Sequence, residues 1–175
     1  MCCAISALDY VHQKKVIHRD IKPENFVFDE NGYLYLTDFG IAKYYKPENK
    51  KDTSGTPGYM APEILARKNY SYSVDFYALG IIMYECIMGK RPYSGRNRRE
   101  IRQQIFARQA KINSSIVQDW SREAIHFCNN LIQRKRERRL GENGIVELKN
   151  HPWLSNVDWE AIKQKRAQPV FEIPF

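Results

Sequence analysis

Two polar segments dominate the first quarter of the chain: His18-Arg19-Asp20-Ile21-Lys22-Pro23-Glu24-Asn25 and, beginning thirteen residues after Asn25, Asp38-Phe39-Gly40. Between these two segments, short apolar runs at residues 26–28 and 33–36 flank Asn31-Gly32. Short strands around Asn-Gly predict a β-hairpin with a type I′ turn, because that turn needs positive φ at both of its central positions.

The predicted hairpin explains how the two polar segments come together. Strands of three or four residues carry the chain out and back over roughly 10 to 13 Å each way. Asp38 therefore returns to the edge where Asp20 and Asn25 lie. Oxygen ligands of this kind suit Mg²⁺, which keeps waters and takes substrate phosphates as its remaining ligands. The sequence thus predicts a site for a divalent cation and a phosphate group.

Hydrophobic periodicity predicts a helix-rich chain around this hairpin. Ser121 is a predicted N-cap, and from Pro152 we expect an extended tail that carries aromatic residues and proline. The predicted helices cover residues 3–12, 74–88, 98–108, 121–134 and 145–150, with loops at 13–25 and 40–63.

The composition, 175 residues of which 43% are apolar and 27% charged, is typical of one globular domain. A function that needs two full lobes does not fit this length. The formal net charge of +8 suggests anionic partners. The basic runs at 96–102 and 134–139 lack the interleaved aromatic residues that stack bases, so we expect no nucleic-acid partner; solvated helical faces are the simpler interpretation.

The cysteines and the N-terminus indicate an intracellular chain, in the cytoplasm or nucleus. The cysteines have no C-x-x-C pair and no metal-ligand spacing with the histidines, which favours a reducing compartment. Signal-peptide features are absent from the N-terminus. The longest apolar segment, residues 77–89, is interrupted by Glu85 and is shorter than the about 20 residues that span a bilayer, so we expect no membrane span. The four cysteines are Cys2, Cys3, Cys86 and Cys128.

A third motif, Ala61-Pro62-Glu63, follows the two described above. H-R-D with its later Asn, D-F-G and A-P-E stand in the order found in eukaryotic protein kinases, and essentially the whole chain resembles their C-terminal lobe. The resemblance implies a mainly α lobe with a small β-hairpin, which is a truncated α+β kinase fold. Residues 1–154 would be the incomplete catalytic domain, and residues 155–175 the start of a C-terminal kinase tail.

The resemblance assigns chemical roles to individual residues. Asp20 would accept the proton of the substrate hydroxyl, or at least orient that hydroxyl, and Lys22 would contact the γ-phosphate. Asn25 and Asp38 would hold Mg²⁺. Thr56 matches the threonine that hydrogen-bonds the catalytic Asp and Lys. The implied cofactors are ATP and Mg²⁺, and the candidate ATP-binding residues are Lys22, Glu24, Asn25 and Asp38.

Two of these residues also indicate the class of substrate. Lys22 and Thr56 favour a Ser or Thr hydroxyl as acceptor, because serine/threonine kinases resemble H-R-D-x-K here while tyrosine kinases carry Ala or Arg nearby. The implied function is a protein serine/threonine kinase, and the implied partner is a protein substrate with Ser or Thr.

The final third of the chain resembles the AGC group, which includes the cyclic-AMP-dependent, cyclic-GMP-dependent and C-type kinases. The resemblance covers Arg139-Leu140-Gly141, His151-Pro152-Trp153 and Gln168-Pro169-Val170-Phe171. In basophilic members, the positions of Glu24 and Glu85 receive substrate arginines, since a carboxylate accepts the guanidinium fork. A basic recognition sequence is therefore implied; two surface glutamates are the alternative.

Other matched positions are architectural or regulatory. Asp75 resembles the buried aspartate that braces the catalytic loop, and Glu63 and Arg139 resemble a buried ion pair. Asp52 stands where the group commonly carries a phosphorylatable Thr, and Thr53 and Ser54 follow it. We hypothesise that Asp52 offers Arg19 part of the negative charge that a phosphate would supply, and orders the loop more weakly than a phosphate does.

Half of the kinase nucleotide clamp is not encoded in these 175 residues. The glycines do not form G-x-G-x-x-G, and no V-A-I-K-like strand or partner glutamate helix is present. In one interpretation the chain is a fragment of a serine/threonine kinase, inactive alone, whose partner is a missing N-terminal lobe. In the other it is a non-catalytic binding module or decoy for kinase substrates or regulators. The uncapped first helix, which begins at Met1, favours the fragment.

Overall fold

The computed structural model describes residues 1–168 and is mainly α, as predicted. Its helices are α1 (Cys2–Gln13), α2 (Pro62–Leu65), α3 (Ser73–Met88), α4 (Arg98–Ala107), α5 (Arg122–Leu131), α6 (Val146–Lys149) and α7 (Trp159–Lys163). Its strands are β1 (Val16–Ile17), β2 (Phe26–Phe28), β3 (Leu34–Leu36) and β4 (Lys43–Tyr44). Short 3-10 helices cover Pro23–Asn25, Arg136–Arg138 and Pro152–Leu154.

The five helices expected from periodicity are present as α1, α3, α4, α5 and α6, with ends that shift by at most three residues. The Ser121 side chain caps α5 as predicted, because its hydroxyl accepts a hydrogen bond from the Ala124 amide at 3.1 Å. These helices form the frame that holds the loops between them.

Helix α3 lies at the centre of the hydrophobic core and packs along α5. Phe76, Tyr77 and Ile81 on α3, and Phe127 and Leu131 on α5, are at most 1% exposed. Burial of each such side chain contributes about 1.5 to 3 kcal/mol, so the packing of this helix pair stabilises the lobe. None of the helices described here, α3 included, is long and apolar enough to cross a membrane.

The hairpin of β2 and β3 forms, but its turn differs from the predicted type I′. Phe28 pairs with Leu34, and the Gly32 amide donates to the Asp29 carbonyl at 2.9 Å. Only Gly32, with φ 77°, has positive φ in the turn. Its central residues are therefore Glu30 and Asn31, followed by a left-handed glycine. The Asp29 carboxylate accepts hydrogen bonds from the amides of Asn31 and Tyr33 at 3.1 and 2.9 Å, so both of these backbone donors have a partner.

A second strand pair lies inside the two segments expected to be loops. Strand β1 pairs antiparallel with β4, so that Val16 faces Tyr44 and Ile17 faces Lys43. The loop expectations for residues 13–25 and 40–63 were therefore wrong at these positions, because two-residue strands are too short to show an alternating pattern. This pair ties the segment after D-F-G to the segment before H-R-D.

The expected extended tail is wrong for the residues that the structure describes. Residues from Pro152 onward form a 3-10 helix and then α7. The Asp158 carboxylate caps α7 by accepting the Ala161 amide at 2.9 Å, and the Lys149 ammonium lies 5.3 Å above the Trp159 ring. The cap and the packing of α7 against α1 therefore stabilise a helix where proline and aromatic residues had indicated an extended tail. The tail motif Gln168-Pro169-Val170-Phe171 falls largely outside the described residues.

The Glu63–Arg139 pair joins α2 to the chain beyond α5. The Arg139 guanidinium donates two hydrogen bonds to the Glu63 carboxylate, at 2.5 and 2.8 Å, and both side chains are buried. Arg139 also donates to the Ser73 carbonyl at 3.3 Å and lies 5.0 Å from the Tyr77 ring centroid. The pair therefore fixes the A-P-E end of the long loop against α3.

Candidate active site

The loop at residues 18–25 is held by one carboxylate of α3. Asp75 Oδ1 accepts the Arg19 amide at 2.8 Å, and Asp75 Oδ2 accepts the His18 amide at 2.9 Å. The same Oδ2 lies 2.8 Å from Nε2 of His12 on α1. Arg19 has φ 70°, a left-handed conformation that costs a residue with a side chain about 1 to 3 kcal/mol. The Asp75 hydrogen bonds therefore hold a turn that the chain alone would not favour.

Asp20 is the best-coordinated side chain of this loop. Its Oδ1 accepts the Thr56 amide at 3.0 Å and the Thr56 hydroxyl at 2.7 Å. Its Oδ2 accepts the Lys22 ammonium at 2.7 Å and the Asn25 amide nitrogen at 3.3 Å. The Lys22 ammonium also reaches the Thr56 hydroxyl at 3.3 Å. The structure thus brings the four predicted catalytic residues into one hydrogen-bonded cluster.

These contacts set the protonation states of the cluster. Burial acts to raise the pKa of Asp20, but the hydrogen bonds from Lys22 and Thr56 outweigh it and lower that pKa below its usual range. The pKa of Lys22 is raised, first by its hydrogen bond to Asp20, with smaller contributions from neighbouring carboxylates. At neutral pH the site therefore contains a carboxylate and an ammonium in contact.

Gly55 allows the chain around Thr56 to lie directly on the catalytic loop. Its φ is 135°, and a Cβ at this position would lie 2.9 Å from the Arg19 carbonyl oxygen and 3.2 Å from Met60 Cγ. A larger residue would push the segment away and lengthen both Thr56 hydrogen bonds to Asp20. The glycine is thus part of how Thr56 reaches the site.

Asn25 and Asp38 have the oxygen atoms expected of a magnesium site. The Asn25 amide nitrogen donates to the Asp20 carbonyl at 2.8 Å, and its amide oxygen accepts no hydrogen bond from the described residues. Asp38 uses Oδ1 to accept the Gly40 amide at 3.1 Å, and within residues 1–168 its Oδ2 is unused. One amide oxygen and one carboxylate oxygen are suited to Mg²⁺.

Asp38 lies near the cluster without joining it directly. No hydrogen bond between described residues links Asp38 to Asp20 or Asn25, but the charge of Asp38 contributes to the raised pKa of Lys22. Two like-charged carboxylates repel, which agrees with the lack of a direct contact between Asp38 and Asp20 in the described residues.

Arg19 and Asp52 meet at the middle of the long loop. Arg19 Nη1 lies 3.9 Å from Asp52 Oδ1 and 3.3 Å from the Tyr70 hydroxyl, and the guanidinium also donates to the Ile41 carbonyl. Asp52 accepts the Lys43 ammonium at 2.6 Å, and this hydrogen bond is the main reason that the pKa of Asp52 is lowered. Asp52 therefore has its closer contact with Lys43.

The other two candidate regulatory residues lie beside Asp52. The Thr53 carbonyl accepts the Arg98 guanidinium at 2.7 Å, while Ser54 is exposed. Neither hydroxyl donates to Asp20, Lys22, Asn25 or Thr56.

The candidate substrate-binding residues, Glu24 and Glu85, both lie near the Tyr59 hydroxyl. That hydroxyl donates to Glu85 Oε2 at 2.8 Å. The pKa of Tyr59 is raised, chiefly by burial and then by Glu85, with a smaller contribution from Glu24. Glu24 is exposed and has no ion pair with a described residue. Among the described residues, the ion pair of Glu85 is a long one, with Arg91 Nε 3.9 Å from Oε1. Both carboxylates can therefore accept an incoming cation.

Sequence reasoning assigned no role to four residues of the site. His12 contacts Asp75, Lys43 contacts Asp52, and Tyr59 contacts Glu85. The His18 imidazole lies 3.0 Å from the Thr37 carbonyl and packs edge-on against the Phe39 ring. His18 stands within the H-R-D motif, which was a usable signal. His12 carried none, because its partner is sixty-three residues away. Lys43 and Tyr59 lie outside the three motifs named above.

The Thr56 hydroxyl can be tested by its effect on Asp20. In Thr56→Val, loss of one donor raises the pKa of Asp20. The ionised carboxylate stabilises the folded state at pH values above its unfolded-state pKa of about 3.9. As the pH is lowered, the variant loses this stabilisation at a higher pH than the wild type does. Carbon-13 NMR titration of the aspartate carboxyl carbons, assigned with Asp20→Asn, measures the shift.

Thr53→Val is the matched control, since it removes a hydroxyl that donates to no described residue. An Asp20 pKa that is equal in the wild type, Thr56→Val and Thr53→Val would contradict the role of this hydrogen bond.

Comparisons with known proteins agree with this geometry. A family model described as "Protein kinase domain" matches residues 1–154. Human Ribosomal protein S6 kinase alpha-6 is 38% identical over 168 residues, which cover 95% of this chain and 22% of that protein. The Saccharomyces cerevisiae cAMP-dependent protein kinase type 3 is 37% identical over 170 residues, 96% of this chain and 42% of that protein.

A plant relative gives the same result. Serine/threonine-protein kinase AtPK2/AtPK19 of Arabidopsis thaliana is 37% identical over 172 residues, 96% of this chain and 35% of that protein. The chain therefore spans less than half the length of each of these relatives. Together, the family match, the relatives and the catalytic cluster identify the chain as an AGC-like member of the protein kinase family.

Proposed function

We propose that this chain supplies the catalytic-loop half of a serine/threonine protein kinase, which transfers a phosphoryl group from ATP to a Ser or Thr hydroxyl. The observation that carries the proposal is the cluster in which Asp20 is bound by Lys22, Asn25 and Thr56. A carboxylate held ionised in a fixed position is suited to orient a hydroxyl and to take its proton as transfer proceeds.

The donors around Asp20 also indicate which hydrogen bond to Asp20 is released when the substrate hydroxyl binds. A carboxylate has about four acceptor positions, and Thr56, Lys22 and Asn25 fill them. The substrate hydroxyl needs one of these positions. Lys22 has a flexible stem and a compact charge, so it is the donor best able to turn from Asp20 toward a nucleotide phosphate. Thr56 and Asn25 then keep the carboxylate in place.

Asn25 and Asp38 are the proposed residues that hold Mg²⁺. With ATP bound, the metal neutralises charge on the transferred phosphoryl group. The contribution of this chain is positional, since the Asn25 nitrogen bonded to the Asp20 carbonyl leaves the amide oxygen for a cation.

The substrate assignment rests on Thr56 and on two carboxylates. Thr56 and Lys22, which contact each other and Asp20, match the serine/threonine kinase pattern. Glu24 and Glu85, both near Tyr59, support the proposal that a basic residue of the protein substrate binds there, because a carboxylate accepts the two donors of an Arg fork.

Complete catalysis also needs a loop over the nucleotide phosphates and a lysine on them. The 175 residues contain no G-x-G-x-x-G. We therefore propose that polypeptide outside these residues supplies both groups, and that the chain assayed alone is inactive.

Phosphoryl transfer tests this proposal in two forms of the protein. The first is the 175-residue chain alone, and the second carries the N-terminal lobe of the yeast relative joined before Met1. With Mg-ATP and a Ser-containing peptide that has upstream arginines, we expect transfer only from the joined form. Asp20→Asn should lower its rate by roughly 10²- to 10⁴-fold, the usual contribution of a positioned acid or base.

Asp119→Asn is the matched control, because Asp119 is exposed and pairs with no described residue. A joined protein that binds ATP but phosphorylates the peptide no faster than its Asp20→Asn variant would contradict catalysis and favour the binding-module alternative. Robust transfer by the chain alone would contradict the need for added polypeptide.

We further propose that Asp52 partly orders the long loop without phosphorylation. Its carboxylate lies 2.6 Å from the Lys43 ammonium and 3.9 Å from Arg19 Nη1, so it links β4 to the catalytic loop. A carboxylate carries less charge than a phosphate, so the ordering is partial.

Limited trypsin digestion tests this ordering, since Lys50 and Lys51 lie next to Asp52. A partly exposed ion pair contributes up to about 1 kcal/mol, so Asp52→Asn should be cleaved roughly two- to fivefold faster in this loop. Asp119→Asn should match the wild type. Equal cleavage of all three proteins, or an activity that requires stoichiometric phosphorylation of Thr53 in the joined form, would contradict the proposal.

A further inference from the structure

Four arginines line one surface cavity beside the long loop. The cavity, of about 390 Å³, is lined by Arg98, Arg99 and Arg102 of α4, Arg67 after α2, Thr53, and the apolar side chains Ile64 and Leu65. All four arginines are exposed, and no acidic residue lines the cavity. It is separate from the catalytic cluster and from Glu24 and Glu85.

The charge of this cavity is not neutralised within the described chain. No ion pair among residues 1–168 joins any of these arginines to a carboxylate. Arg98 donates to the Thr53 carbonyl at 2.7 Å, and Arg102 lies 5.3 Å from the Phe106 ring centroid. The acidic residue nearest in sequence, Glu100, is engaged elsewhere, since its carboxylate binds the Arg96 amide and the Asn97 side chain.

A solvated basic helix face is the simpler explanation, but the spacing on α4 opposes it. Arg98 and Arg102 are four residues apart, and Arg99 and Arg102 are three apart. Like charges at these spacings lie on the same helix face and destabilise the helix. Neutralisation by an anionic ligand would relieve this repulsion.

The cavity adjoins the segment that reaches the catalytic carboxylate. Thr53 lies three residues before Thr56, so their Cα atoms are at most about 10 Å apart. Arg98 contacts both flanks of this segment, through the Thr53 carbonyl at 2.7 Å and Met60 Sδ at 3.7 Å. A protein substrate positioned at Asp20 therefore extends to the arginines within a few residues.

We propose that this arginine pocket, Arg67, Arg98, Arg99 and Arg102, binds a phosphorylated side chain of the protein substrate. This inference rests on the proposed kinase function, because the pocket would then select substrates that already carry a phosphate. Phosphate offers three acceptor oxygens and a charge of about −1.5 to −2. Several guanidinium forks can bind it at once, whereas one carboxylate satisfies a single fork.

Position favours a phosphorylated residue of a polypeptide over a free inorganic anion. Ile64 and Leu65 of α2 line the cavity but are only 2% and 6% exposed, so the exposed arginines supply most of its accessible surface. The cavity adjoins the segment that contacts Asp20, where a bound protein substrate would lie.

Peptide binding to the 175-residue chain tests the pocket without ATP or catalysis. The probes are three fluorescein-labelled degenerate peptide libraries that share one fixed central residue: phosphothreonine, glutamate or threonine. Fluorescence anisotropy at physiological ionic strength should give the phosphothreonine library roughly tenfold or more tighter binding than the threonine library, with glutamate between them.

The variant Arg98→Gln/Arg99→Gln/Arg102→Gln should lose this preference. Its control, Arg96→Gln/Arg122→Gln/Arg166→Gln, removes the same charge from exposed arginines outside the pocket and should keep it. The single substitution Arg67→Gln should also weaken the preference. Because Arg67 lies outside α4, this result could not be explained by misfolding of α4. Circular dichroism and thermal unfolding verify that each variant is folded.

Equal binding of the phosphothreonine and threonine libraries would overturn the proposal. An equal loss of the phosphothreonine preference in the pocket and control variants would also overturn it, because it would indicate non-specific electrostatic attraction. Asp119→Asn, a change at an exposed residue outside both the pocket and the Asp20 cluster, should bind as the wild type does. Binding without phosphoryl transfer in the joined form would thus reject the kinase function separately, and transfer without phosphate selection would reject the pocket alone.

Discussion

The buried Asp75 carboxylate is the constraint on which the site depends. It is 1% exposed and would be costly to bury without hydrogen bonds. The amides of His18 and Arg19 donate to it, and His12 lies in contact. With these hydrogen bonds in place, Arg19 adopts a left-handed conformation directly before Asp20. One core side chain therefore holds the turn from which Asp20 projects.

The long loop is fastened to this oriented turn at several points. Thr56 binds the Asp20 carboxylate, and the Arg19 guanidinium binds the Ile41 carbonyl and approaches Asp52. At its end, the Glu63–Arg139 ion pair fixes the loop to the helical frame. These contacts join the long loop both to Asp20 and to the helical frame.

The sequence predicted the parts of this arrangement that depend on local pattern. The helices followed from periodicity, and the Asp20, Asn25 and Asp38 groups followed from motif order and the hairpin between them. What failed was decided by contacts distant in sequence or by very short elements. The β1–β4 pair has two residues on each side, α7 forms because Asp158 caps it and Trp159 packs, and the turn type was decided by the Asp29 side chain. His12 was missed because its partner, Asp75, is sixty-three residues away.

Amide hydrogen exchange in Asp75→Asn shows whether this carboxylate holds the turn at His18 and Arg19. Asparagine has nearly the same volume but only one acceptor oxygen, so at least one of the His18 and Arg19 amides should lose its protection. We predict faster exchange at these amides and unchanged exchange in α5, with Asp119→Asn behaving as the wild type. Wild-type protection of both amides in Asp75→Asn would contradict this role of Asp75, because the turn at His18 and Arg19 would then be held without the carboxylate.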